Sequence, residues 1–134
     1  MSSVSMEQMN RNRNTMHMST NAGDFPPQTK QEIAEQIRKS AALPLDEIWI
    51  SGETEYPCLA ILVHGADACL TYFETEGVMW LSYGAGQKPL SFIAGGAEWE
   101  APADSVVSTE RAIACMEAFF ETRKRPACIA WQPL

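Results

Sequence analysis

The chain has few of the residues on which catalytic and metal sites usually depend. Among its 134 residues are two histidines, His17 and His64, and four cysteines that stand singly rather than in CxxC pairs. Because structural zinc sites draw on closely spaced cysteine and histidine pairs, we expect no metal site, and no motif indicates a cofactor. The pattern instead predicts buried free thiols in a reducing compartment, at Cys58, Cys69, Cys115 and Cys128.

Long apolar runs are absent as well. None approaches the roughly 18 residues that a membrane-spanning helix requires. The methionine-rich N-terminus is interrupted by Asn, Ser, Arg and Thr, so it lacks the continuous apolar core of a secretory signal. Nothing in the sequence directs the chain out of the cytoplasm, and we therefore predict a cytoplasmic protein.

Basic residues are scarce through the middle of the chain. The formal net charge is −7, and residues 44–107 contain ten acidic side chains against Lys88 alone. Such a field repels phosphate groups and attracts basic partners. The charge therefore argues against direct nucleic-acid binding and favours a basic protein partner. Solubility alone is the competing explanation, because many soluble proteins are acidic.

Periodicity divides the chain into a leader and one folded domain. Residues 1–27 show no helical or strand period and are predicted to be a flexible leader, with the domain at residues 28–134. A helix capped by Thr29 precedes short β-rich segments whose brief turns are typical of antiparallel hairpins. A longer helix then begins at Ser108 or Thr109. These features predict an α+β fold: an antiparallel sheet of about six to seven strands, with an N-terminal helix and a longer C-terminal helix packed on it.

The one dense basic cluster is Arg123, Lys124 and Arg125, directly before Pro126. We predict that these cations form the last turn of the second helix, where they offset the carbonyl end of its dipole, and that "ACIAW" is the final strand. A nucleic-acid patch is the alternative, but three positive charges are too few to hold a phosphate backbone.

Candidate catalytic constellations are weak. His64 and Asp67 flank a predicted hairpin turn, and Ser82 in "WLSYG" lacks the preceding glycine of a nucleophile elbow. Carboxylates two residues apart share one face of a strand and could form acid–base pairs, but three such pairs resemble a solvated rim more than a site. We therefore predict that the protein is not an enzyme. The pairs are Glu53/Glu55, Glu74/Glu76 and Glu98/Glu100.

Three segments, "YPCLAILV", "ADACLTYFETEGVMWLSYG" and "VVSTERAIACMEAFFETRKRPACIAW", carry a family resemblance. In order and spacing they resemble the first-numbered family of bacterial polymorphic-toxin immunity proteins, and most closely those that neutralise DNA cytosine deaminase toxins. The motif elements are an aromatic-rich helix, an Arg-Pro ending and a terminal Trp, here Phe119, Phe120, Arg125, Pro126 and Trp131. The resemblance implies an α+β fold, cytoplasmic residence, and binding of a cognate toxin domain whose active site is blocked.

The resemblance and the acidic charge together indicate where such a toxin would bind. A toxin that acts on nucleic acid needs a basic cleft, and a carboxylate-rich surface complements it. Trp99 between two glutamates suits an anchor for a basic partner, although a half-buried strand position is the simpler interpretation. The candidate contact residues are Glu53, Glu55, Tyr56, Glu74, Glu76, Glu98, Trp99 and Glu100. An adaptor or chaperone for a secreted effector, or a small enzyme built around Ser82 or a carboxylate pair, are the alternatives.

Overall fold

The computed structural model describes residues 16–21, 23–43, 46–84 and 86–134. These residues form two α-helices, α1 (Lys30–Ala41) and α2 (Thr109–Thr122), and a short 3-10 turn at Ala103–Ser105. The strands are β1 (His17–Thr20), β2 (Gly23–Phe25), β3 (Asp46–Ser51), β4 (Cys58–His64), β5 (Asp67–Thr75), β6 (Val78–Tyr83), β7 (Leu90–Ala94), β8 (Ala97–Ala101), β9 (Val107–Ser108) and β10 (Ala130–Pro133). Neither helix is long and apolar enough to cross a membrane.

Eight of the strands form one antiparallel sheet, which confirms the predicted α+β class. Seven follow the order β10-β6-β5-β4-β3-β1-β2, and β9 pairs with the beginning of β5. Strand β4 lies in the middle of this order, and every residue from Cys58 to Val63 is buried. Its uninterrupted apolar sequence is explained by this position, because both of its faces are covered. The β7–β8 hairpin forms a separate two-stranded sheet.

The N-terminal segment differs from the predicted leader. Strand β1 pairs with β3, with Met18 opposite Ile50, and the side chains of Met16 and Met18 are fully buried. The backbone N–H of Asn21 also donates to the Asp46 carboxylate at 3.2 Å. Strands of four and three residues are too short to show a period, and two methionines two positions apart are the only local sign of β1. Residues 1–15 of the predicted leader lie outside the described residues.

Helix α1 follows its predicted capping and packing. The Thr29 hydroxyl accepts a hydrogen bond from the Glu32 N–H at 3.2 Å, and Ile33 and Ile37 are fully buried. Both helices pack on the same face of the sheet and enclose the main core with it. The largest fully buried side chains of this core are Met16, Met18, Ile33, Ile37, Ile48, Ile50, Leu59, Ile61, Leu70, Met116 and Phe119.

The basic triplet lies after α2 rather than in its last turn, so this prediction is wrong. Of the two predicted caps, Ser108 is the one that begins the helix, which ends at Thr122; the next residue, Arg123, adopts a left-handed conformation with φ of 57°. The Arg123 N–H closes the helix on the Phe119 carbonyl at 2.8 Å. Such a left-handed cap is usually glycine, and no glycine marked this helix end. The final strand is accordingly Ala130–Pro133, slightly later than predicted.

The cysteines are free, as expected, but only three of them are buried. Cys128 is exposed in the segment between α2 and β10, and its sulfur lies 2.7 Å from that of Cys115 on the helix. Desolvation, the largest effect, raises the pKa of the Cys115 thiol, and the neighbouring Cys128 raises it further. The exposure of Cys128 corrects the prediction that all four thiols are buried.

Candidate functional site

Two acidic loops project from one end of the sheet. Strands β3 and β5 run in the same direction, because each is antiparallel to β4, so the β3–β4 loop and the β5–β6 turn emerge together. The glutamates of these two connections are all exposed. We define this surface as the acidic end: Glu53, Glu55, Tyr56, Glu74 and Glu76.

Tyr56 lies between carboxylates of the two loops. Partial desolvation is the main effect that raises the pKa of its phenol, and the negative charges of Glu55 and Glu76 raise it further. Because one residue comes from the β3–β4 loop and the other from the β5–β6 turn, the phenol marks where the two loops meet. The fold therefore brings together five of the eight candidate residues that the sequence indicated.

Two arginines lie on the helix side of the acidic end. Gly52 opens the β3–β4 loop, and a β-carbon at this position would collide with the Arg123 guanidinium. The Arg125 guanidinium lies over the Trp80 ring, 4.1 Å from its centroid, in cation–π geometry. Arg123 and Arg125 thus place positive charge beside Gly52 and Trp80, on the helix side of this end of the sheet.

The sheet face opposite the helices is only partly covered. The β7–β8 hairpin folds across it, with the Phe92 side chain fully buried in a second apolar cluster that includes Leu62 and Leu81. The Gly95 N–H donates to both carboxylate oxygens of Glu47, at 3.2 and 3.0 Å. These contacts fix the hairpin over the half of the sheet farther from the acidic end, and the other half stays open.

An aromatic groove of about 240 Å³ remains on the open half. One side of the groove follows a row of residues that face each other across three adjacent strands. Trp49 on β3 lies opposite Ala60 on β4, and Ala60 lies opposite Thr71 on β5. Ala60 has the smallest side chain of this row, so a depression forms beside the Trp49 ring. We define the aromatic groove by its main lining residues, Trp49, Ala60, Thr71, Phe73, Trp99 and Leu134.

The groove exposes large aromatic surface. Trp49 is 37% exposed and Trp99 is 36% exposed. The rings of Trp49 and Phe73 stack with their centroids 5.2 Å apart. Partly exposed aromatic rings that are held rigidly by their neighbours are typical of protein-binding surfaces.

The hairpin separates Trp99 from its two flanking glutamates. Trp99 stands directly opposite Phe92, so both side chains lie on the hairpin face that turns toward the sheet. Glu98 and Glu100, one position away on either side, lie on the outer face and are exposed. The structure therefore places these three candidate residues on the hairpin rather than at the acidic end, with Trp99 partly sheltered at the groove.

Sequence reasoning missed Trp49, Phe73 and Leu134 as parts of the candidate site. A signal for Trp49 was present, because Ile48 and Ile50 alternate with it and face the core. The position of Leu134 depends on β10 returning to the sheet edge, where its N–H donates to the Met79 carbonyl at 3.0 Å. No local pattern reports that contact.

The residues weighed for catalysis have structural partners. The Ser82 hydroxyl is fully buried, donates to the Ser105 carbonyl at 2.6 Å and accepts from the Leu70 N–H at 3.0 Å. His64 Nδ1 lies 3.0 Å from the Ser91 carbonyl oxygen, where it ties β4 to the hairpin. Across residues 16–21, 23–43, 46–84 and 86–134, no cluster of His, Cys, Asp and Glu has the arrangement of a metal site.

Comparison with known families assigns the chain. The model of the family described as immunity protein Imm1 matches residues 21–133, which include both helices and every strand from β2 to β10. Among curated proteins, none matches the chain. The match confirms the immunity-protein family that the motifs indicated and extends it toward the N-terminus. It indicates a protein that acts against a toxin in a non-enzymatic role. The chain belongs to the Imm1 family of immunity proteins.

Proposed function

We propose that this immunity protein neutralises a toxin that modifies nucleic acid, specifically a DNA cytosine deaminase, by covering its active site. The observation that carries the proposal is the acidic end, where four exposed glutamates lie at one end of the sheet and the negative charges of Glu55 and Glu76 act on the Tyr56 phenol. Because DNA is the substrate of such a toxin, we place the protection in the cytoplasm.

The electrostatic argument starts from what the toxin must bind. An enzyme that acts on DNA holds the phosphate backbone with lysine and arginine side chains. Residues 44–107 of this chain, which include the acidic end, carry ten acidic side chains and one lysine. Opposite surface charges speed diffusional encounter and disfavour partners of the wrong sign. The acidic end therefore suits a partner whose substrate is a polyanion.

Inhibition by this route requires no chemistry from the immunity protein. A deaminase must take a single base out of the stack and into a closed pocket. Carboxylates that occupy the phosphate-binding positions would exclude the DNA backbone, and the bulk of the domain would cover the pocket entrance. Ser82 and His64 make contacts within the fold, with the carbonyls of Ser105 and Ser91.

The experiment reverses charges at the acidic end and compares them with reversals elsewhere. The test variant is Glu55→Lys with Glu76→Lys, one from each acidic connection and both close enough for their charges to act on Tyr56. The matched control is Glu35→Lys with Asp67→Lys, two exposed positions on α1 and at the opposite end of β5. Both variants change the net charge equally, and exposed charges contribute little to folding stability.

The readouts are survival of cells that co-express the cognate toxin domain, and the association rate at several salt concentrations. We expect the test variant to associate about tenfold more slowly at low salt, with a shallower salt dependence, and the control to behave like the parent protein. Equal losses in both variants would show that only net charge matters, which contradicts the proposal. An adaptor would bind the toxin domain without protecting the cell.

A further inference from the structure

We propose that the aromatic groove receives one bulky apolar side chain of the toxin, carried on a segment that has lysine or arginine beside it. The inference rests on the proposed function for the nature of the partner, and it adds a second contact surface whose chemistry differs from that of the acidic end.

The size and lining of the groove favour a side chain over a small ligand. Its volume of about 240 Å³ falls below the roughly 300–1,000 Å³ of typical small-molecule pockets. Its floor is apolar, with Ala60 and Leu62 nearly buried between the rings that line it. Among the described residues that line it, Glu47 is the one side-chain carboxylate, and it already accepts a hydrogen bond from the Gly95 N–H. An apolar side chain would bury the exposed aromatic surface, with Thr71 the one uncharged polar side chain beneath it among the described lining residues.

The geometry also favours a single insertion point rather than a flat contact. Trp49 and Phe73 stack on the sheet, whereas Trp99 approaches from the hairpin, so the groove has aromatic walls on two independent elements. Binding energy in protein interfaces concentrates at such aromatic pockets, where tryptophan is enriched. The rings are held in position by the buried Phe92 and by the β4–β5 pairing, so little ordering is required on binding.

The charge around the groove determines what flanks the inserted side chain. Glu98 and Glu100 lie on the outer face of the hairpin beside Trp99, and Glu74 follows Phe73 toward the acidic end. The carboxylates of Glu98 and Glu100 therefore stand behind the Trp99 wall, whereas Glu74 lies on the helix side of β5, near Tyr72. A segment that enters the groove is best matched when basic residues lie next to its apolar anchor, and the basic toxin already inferred meets this requirement.

The test separates the groove from the acidic end by kinetics. Ala60→Leu fills the depression, and Trp99→Ala removes one wall, so two different changes address the same contact. Tyr83→Ala is the matched control, because this aromatic residue is 49% exposed on β6 but does not line the groove. Thermal unfolding of each variant establishes that the fold is intact.

We expect both groove variants to dissociate from the cognate toxin domain about 30-fold faster or more, as for a truncated hot-spot residue. Their association rates and salt dependence should stay near those of the parent protein, which is the opposite of the acidic-end variant. Tyr83→Ala should leave both rates unchanged. Parent-like dissociation of Ala60→Leu and Trp99→Ala would overturn the inference while leaving the proposed function intact.

Two further outcomes keep the proposals distinct. If the bound toxin does not act on nucleic acid but the groove variants still release it faster, the proposed toxin class fails and the groove inference stands. If sedimentation shows that the free parent protein is a dimer that Trp99→Ala dissociates, the occupant is a second copy of this chain, and the inference about the toxin is overturned.

Discussion

Truncation of Phe119 tests whether α2 is a core element rather than a recognition helix. The Phe119 side chain is fully buried between α2 and the sheet, and its ring meets that of Tyr72 edge to face, with centroids 6.1 Å apart. The next residue, Phe120, packs on the same core but is only partly buried. The variants Phe119→Ala and Phe120→Ala therefore compare one chemical change at two depths on a single helix.

The burial of each ring determines how much unfolding free energy its removal is expected to cost. Deleting a fully buried phenylalanine ring costs about 3–5 kcal/mol, because transfer energy is lost and a cavity remains. The loss of the edge-to-face pair with Tyr72 is worth about 0.5–1.5 kcal/mol and places Phe119→Ala in the upper half of that range. Phe120→Ala removes only part of one side chain's transfer energy, so we expect about 1 kcal/mol.

The assay is chemical denaturation monitored by circular dichroism, together with binding of the toxin domain. Phe119→Ala should strongly lower the denaturant concentration at the unfolding midpoint and leave the m-value, the dependence of the unfolding free energy on denaturant, unchanged. The melting temperature should fall by about 10–20 °C. The milder Phe119→Leu keeps the measurement possible if the alanine variant does not fold. A Phe119→Ala protein that is as stable as the parent but no longer binds the toxin would refute this reasoning and make α2 the recognition element.

Two further predictions concern a serine and two cysteines that the sequence singled out. Ser82→Ala should cost about 1–3 kcal/mol of unfolding free energy, because the Leu70 N–H and the Ser105 carbonyl lose a buried partner; a loss of activity against the toxin at unchanged stability would instead point to a chemical role. Iodoacetamide should modify the exposed Cys128 quickly in the folded protein and Cys115 only after unfolding, since burial raises the pKa of the Cys115 thiol. If mass analysis of the peptides shows equal modification rates for Cys128 and Cys115 in the folded protein, the difference in their exposure is contradicted.

The central part of the fold was predictable because its signals are local. The bounds of β4, β6 and β7 coincide with the apolar segments between turn residues, and the caps at Thr29 and Ser108 begin the two helices as expected. In each case the hydrophobic pattern and the turn chemistry agree within a few residues. The α+β class follows directly from these elements.

The remainder depends on contacts between distant parts of the chain. Strands β1 and β2 exist because β3 offers a free edge, and the side of the hairpin that Trp99 occupies follows from the burial of Phe92. Helix α2 ends because Arg123 adopts a left-handed backbone conformation, which an arginine in the sequence does not predict. The acidic end was indicated by composition, but the aromatic groove required the strand pairing.

The two edges of the large sheet affect how readily copies of the protein can associate through their strands. Strand β2 at one edge has three residues and β10 at the other has four, while the longer strands lie between them. Pro133 in β10 has no N–H to offer a further strand. Short edges give another chain little backbone to pair with, which limits edge-to-edge aggregation. Edge-to-edge pairing between copies of the large sheet would therefore gain few backbone hydrogen bonds.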